Sequence, residues 1–153
     1  MNRTNLLSII FIAIISVNYS YSQNRVEKSD NEWKKILSPI EYYVLRQKGT
    51  ERPETGKYNK FYEEGIYYCA ACDTPLFSST TKYNSYSGWP AFYNFIKPNV
   101  RNIEDNSLHI KRTEIICAVC DGHLGHVFDD GPKNTTGKRY CVNSVSLKFK
   151  PKK

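Results

Sequence analysis

The sequence predicts a mainly β domain, compact and antiparallel, preceded by two short helices, and three observations lead there. Aromatic residues are abundant, with 12 Tyr, 7 Phe and 2 Trp, a bias that suits strands more than helices. From Gly65 onward, short aromatic and β-branched runs (Ile66–Cys69, Leu108–Ile116, Arg139–Phe149) alternate with turns rich in Gly, Pro, Asn and Asp. Ahead of them, two segments carry helix signals instead. With 40% hydrophobic and 24% charged residues, the 153-residue chain suits one folded domain rather than a disordered polymer.

The first element is a targeting signal. Arg3, the apolar run Leu6 to Val17, and Ser20 and Ser22 at −3 and −1 of a cut before Gln23 form a secretory signal over residues 1–22. The run is shorter than the roughly 20 apolar residues a bilayer span needs. Cleavage is therefore expected, with no stable membrane association afterwards and a secreted or periplasmic location. No cysteine precedes Cys69, which excludes a lipid on an N-terminal cysteine. Removing residues 1–22 takes away only Arg3 and lowers the net charge from +7 to +6. That balance would suit an anionic partner. Part of it, however, sits in Lys148, Lys150, Lys152 and Lys153, and secretion argues against nucleic acid as the ligand.

Residues 23–30 read as a polar linker, 31–150 as the folded domain and 151–153 as a basic tail. Asp30 through Leu37 forms a short helix, with Trp33, Ile36 and Leu37 at helical spacing. Ser38-Pro39-Ile40-Glu41 starts a second: Ser38 at N-cap, Pro39 at N1 and Glu41 at N3 make a capping box. That helix runs to about Gln47 and stops at Gly49.

Five cysteines carry most of the chemical signal. Cys69-Ala70-Ala71-Cys72 and Cys117-Ala118-Val119-Cys120 are two Cys-x-x-Cys knuckles, which together supply the four thiolates structural zinc prefers. Their wide separation exceeds that of a compact zinc ribbon, so a metal here would close a long loop. Disulfides are the alternative in a secreted chain, and four cysteines allow three pairings. A redox Cys-x-x-Cys is another, although two copies would be redundant and neither opens a βαβ pattern.

Cys141 is the odd cysteine, and its neighbours define its use. Arg139 to Leu147 reads as a strand, so Arg139, Cys141 and Asn143 share a face. A guanidinium one pleat away favours the nucleophilic thiolate, and the Asn143 amide has donors to orient a substrate or the thiolate. A buried structural cysteine is the competing reading. His123 and His126 follow the second knuckle, in Gly122-His123-Leu124-Gly125-His126, and histidine carries protons near neutral pH. The competing use of His-x-x-His is a metal pair, but four thiolates already close a zinc shell. His109 reads as an ordinary strand residue. In Gly88-Trp89-Pro90-Ala91-Phe92 the indole is either core or a face for a small apolar group beside the thiol. The sequon Asn134-Thr135-Thr136 is read as incidental.

Taken together, these motifs, with Val127-Phe128-Asp129-Asp130-Gly131-Pro132 and Arg139-Tyr140-Cys141-Val142-Asn143-Ser144, resemble the peptide-methionine (R)-S-oxide reductase family over about residues 31–150. The resemblance implies a fold of two antiparallel sheets and reduction of the R epimer of methionine sulfoxide, free or within proteins. It implies Cys141 as nucleophile, Arg139 lowering its pKa, Asn143 binding or orienting, and His126 as the acid beside His123. Asp130 would support that network. Trp89, with Phe128, would bind the substrate's methyl end. Cys69, Cys72, Cys117 and Cys120 match the ligands of one structural zinc. Many members carry a resolving cysteine just before Gly-Trp-Pro, where this chain has Ser87. The expected partner is therefore an external, thioredoxin-like thiol donor, and a monomer is expected. Two rivals stand beside this reading: a secreted zinc module without catalysis, and a thiol–disulfide oxidoreductase working through a knuckle.

Overall fold

The computed structural model describes residues 25–107 and 110–153. The proposed signal segment and His109 lie outside them. Two helices open the fold, α1 (Asp30–Ile36) and α2 (Pro39–Gln47), and each begins on a capping box. In the second, the Ser38 amide donates to Glu41 at 2.8 Å, as its sequence requires. Ser29 and Glu32 repeat the motif one helix earlier, a Ser-x-x-Glu pattern equally visible in the sequence. Trp33 and Leu37 are buried, whereas Ile36 points to solvent. Helix α2 ends at Lys48 in the left-handed region, and the Tyr43 ring then lies so close to Gly49 that a Cβ there would sit 2.2 Å from it. The described part of the stretch read as a linker, from Arg25 on, is docked: the Val26 amide donates to Val119 O at 2.9 Å, and Arg25 pairs with Asp121. Among the described residues no helix is long and apolar enough to cross a membrane.

Among the described residues, nine strands form two antiparallel sheets. The smaller has the order β2 (Pro75–Ser78), β1 (Gly65–Cys69), β9 (Leu147–Pro151). The larger runs β3 (Lys82–Tyr83), β4 (Ala91–Phe92), β8 (Arg139–Val142), β7 (His123–Phe128), β6 (Arg112–Cys117), β5 (Val100–Asp105). Between them sits the aromatic core that the composition foreshadows. Phe77 stacks on Phe92 at 4.5 Å, and Tyr67 meets Phe92 edge-on at 5.1 Å, geometries that ring quadrupoles favour over a sandwich.

Two runs differ from their sequence reading. Of the run predicted from Leu108, Leu108 and His109 lie outside the described residues, and the strand β6 covers Arg112–Cys117. The run from Arg139 to Phe149 is broken in two. Strand β8 ends at Val142, a 3-10 turn occupies Ser144–Ser146, and β9 continues in the other sheet. The break has a chemical cause: the buried Glu51 carboxylate accepts from the amides of Ser144 at 2.5 Å and Val145 at 3.0 Å. Those amides are thereby taken out of any strand ladder.

Gly125 lets β8 approach β7 closely, since a Cβ there would stand 2.0 Å from the Cys141 carbonyl oxygen. Gly125→Ala is expected to cost about 3 kcal/mol of stability, read as a lower midpoint of denaturant unfolding. An unchanged midpoint would contradict this packing.

Candidate active site and metal centre

The two knuckles are the same turn built twice. In each, the first cysteine's carbonyl accepts from the amide of an aspartate four residues on: Asp73 to Cys69 at 2.9 Å, Asp121 to Cys117 at 3.0 Å. Both aspartates take left-handed backbone, at φ 62° and 56°. The turns gather the sulfurs of Cys69, Cys72, Cys117 and Cys120 within 4.8 Å of one another. Cys69 Sγ lies 3.6 Å from Cys120 Sγ, and Cys72 Sγ 3.5 Å from Cys117 Sγ. A tetrahedral zinc with bonds of about 2.3 Å needs sulfur edges of roughly 3.8 Å, whereas a disulfide needs about 2.05 Å. All five cysteines are free thiols, and the four fit the metal. Zinc held by them would be structural, with every position taken by protein. It would tie the end of β1 in one sheet to the β6–β7 hairpin in the other.

Cys141 stands in the middle of the larger sheet, opposite Ala91 of β4 and His126 of β7. It opens into a cavity of about 180 Å³ whose walls include Thr50, Trp89, Arg112, His126, Phe128 and Asn143. The Trp89 indole is fixed by donating to Glu51 O at 3.1 Å. The Pro90 carbonyl hangs the same loop on β8 by accepting from Val142 N at 2.9 Å. Ser87 Oγ lies 3.8 Å from Cys141 Sγ.

Arg139 shares the Cys141 face of β8, but it is clamped. Its guanidinium donates to both Asp130 oxygens at 2.8 Å and stacks over the Phe128 ring at 4.3 Å. Burial pushes the Cys141 thiol up, and the Ser87 hydroxyl and Arg139 pull it back only in part. The expected lowering by Arg139 is thus present but smaller than the desolvation it opposes. Iodoacetamide labelling of Cys141 should keep accelerating as pH rises past the usual thiol value of about 8.5. Arg139→Met should move that midpoint higher still. A plateau below neutral pH would contradict the burial argument.

The histidines part company. His126 lines the cavity, and its Nε2 lies 2.8 Å from Asp105 Oδ2. Arg112 donates to the same carboxylate at 2.6 Å. The Ser107 amide and side chain, with His126 and Arg112, hold Asp105 well below the usual carboxylate range, so it stays charged and orients the imidazole. Asp130 therefore serves Arg139, and the carboxylate on His126 is Asp105. The signal for Asp105 was faint: it faces Arg112 as a hairpin-closing pair of opposite charges. His123 sits behind His126, ring centroids 5.5 Å apart, and is buried with Nδ1 2.7 Å from Glu114 Oε1. Burial lowers its pKa against the pull of Glu114, while Lys48 caps the other Glu114 oxygen at 2.8 Å. Asn143 also lines the cavity, but its amide is committed, accepting from Glu51 N at 3.0 Å and donating to Leu124 O at 3.1 Å.

Residues 37–151 match the SelR domain. The chain belongs to the SelR-domain family. Its relatives include the peptide methionine sulfoxide reductase MsrB of Methanosarcina mazei, 58% identical over 131 residues, covering 84% of this chain and 91% of that protein. The MsrB of Leptospira interrogans is 57% identical over 125 residues, 81% of this chain and 95% of its own length. That of Pseudomonas syringae is 52% identical over 130 residues, 84% and 98% respectively. The four-cysteine cluster and the two antiparallel sheets of this SelR domain fall within the matched region.

Proposed function

We propose that this SelR-domain protein reduces the R epimer of methionine sulfoxide to methionine through Cys141. The observation that carries the mechanism is the placement of one thiol, apart from the metal cluster, in a cavity walled by an indole and a carboxylate-held imidazole. The Trp89 face receives the substrate's methyl group, and 180 Å³ is room for a single side chain. The Cys141 thiolate bonds to the sulfoxide sulfur while His126 protonates the oxygen, and the hydroxyl passes to the Cys141 sulfur as that sulfur–sulfur bond breaks. The substrate sulfur gains two electrons and leaves as methionine. The oxygen ends on Cys141 as a sulfenic acid, the first rung of cysteine oxidation. Arg139, braced by Asp130, favours the anion at the moment of attack. Asn143, Glu51 and Asp105 act as positioning residues. Zinc at the four cysteines would hold the frame and take no part in the chemistry.

Regeneration needs two thiols from outside. One condenses with the sulfenic acid and releases water; the second displaces Cys141 and leaves with the first as a disulfide. A thioredoxin-like donor outside the cytoplasm fits this need and the secretory signal. The purified chain, supplied with dithiothreitol and resolved epimers, should turn over R and not S. No turnover of either by zinc-loaded, folded protein would end the reading. Mass spectrometry of the exported protein should find Gln23 at its N-terminus, and an intact Met1 there would end the export proposal.

A further inference from the structure

A second cleft, of about 780 Å³, adjoins the Cys141 cavity. Thr50 lines both, and the consecutive residues Asn143 and Ser144 line one each. The partition between them is rigid. Glu51 is buried, its carboxylate holds Ser144 and Val145, its amide is held by Asn143, and its carbonyl holds Trp89. The two spaces thus keep a fixed distance, as subsites of one ligand must.

The cleft is built for more than a side chain. Its size falls within the range of small-ligand and peptide clefts, whereas the Cys141 cavity admits one residue. Its walls carry apolar area that the fold leaves open: Ile40 and Tyr43 on α2 are 47% exposed each. The two acidic residues in the lining face backbone and serine rather than the cations: Glu41 serves the capping box with Ser38, and Glu51 accepts from the Ser144 and Val145 amides. Arg52 and Lys57 are exposed and carry no ion pair among the described residues. Two cations without a carboxylate partner therefore stand beside an apolar wall.

We infer that this cleft binds the polypeptide flanking an oxidised methionine, favouring an apolar side chain beside it and a carboxylate beyond. The inference rests on the methionine sulfoxide reading of the Cys141 cavity and adds a preference among protein substrates. An extended chain advances about 3.4 Å per residue, so neighbours of a methionine seated at Cys141 reach across Thr50 into the cleft.

The test compares three substrates with dithiothreitol as reductant, which removes any protein donor from the assay. They are N-acetyl-methionine-R-sulfoxide, a hexapeptide with Leu and Glu flanking the sulfoxide, and the same peptide with Lys for Glu. The wild-type chain should show kcat/KM about tenfold higher for the acidic peptide than for the basic one, and R52E/K57E should abolish or invert that ratio. Ile40→Asn should lower kcat/KM for both peptides. All variants should treat the N-acetyl substrate as wild type does. Equal kcat/KM for all three substrates in the wild type, or an acidic preference surviving R52E/K57E, would overturn the cleft proposal while leaving the chemistry at Cys141 intact. Failure on the N-acetyl substrate itself would instead strike the underlying reading.

Discussion

A chain carrying Cys141→Ser is expected to reduce methionine sulfoxide at least about a thousandfold more slowly, because a serine hydroxyl is a far weaker nucleophile than a thiolate and its oxygen cannot take up the sulfoxide oxygen as a sulfenic acid does. The four remaining thiols do not substitute, since they converge on one another at the knuckles and not on the cavity. The sharper version is a single turnover without reductant. The wild-type chain should release one methionine and then trap dimedone at Cys141, since no other described thiol lines the cavity to close a disulfide. The variant should release none. Retained turnover by Cys141→Ser, or dimedone on a knuckle cysteine instead, would remove Cys141 from its role.

Cys117→Ser should have the second largest effect, and a different one. Loss of one thiolate opens the tetrahedral site, and with it the link between β1 and the β6–β7 hairpin. Bound metal should fall from one equivalent to none, and stability should drop by at least about 3 kcal/mol. Activity falls too, by displacement rather than by chemistry, because His123 begins β7 just after Cys120 and His126 follows on the same strand. One retained equivalent of zinc with an unchanged unfolding midpoint would show that these four cysteines do not hold the metal.

Local patterns were legible in the sequence and long-range partners were not. The Ser38 box, the twin knuckles and the Arg139–Cys141 face are encoded within a few residues, and each is present in the fold. The break after Val142 depends on Glu51, some 90 positions earlier, whose carboxylate no strand pattern announces. For the same reason Asn143 looked free to face substrate, when its amide is spent on Glu51 and Leu124. The two histidines posed a subtler problem. An odd spacing on a regular strand sends side chains to opposite faces. Here an irregularity in the β6–β7 register brings the rings within 5.5 Å, and only the paired strand reveals it. Asp105 went unread because its partner His126 lies two strands away, beyond β6.

Ser87 Oγ faces Cys141 Sγ across 3.8 Å. Were that oxygen a sulfur, the pair would need to close by only about 2 Å to bond. Whether the first thiol to meet the sulfenic acid is the chain's own or an outsider's is therefore a property of a single atom, while the two electrons come from outside in either case. One codon, Ser87→Cys, would let the chain close its own disulfide before an outside donor reduces it, without rebuilding the sheet that carries Cys141.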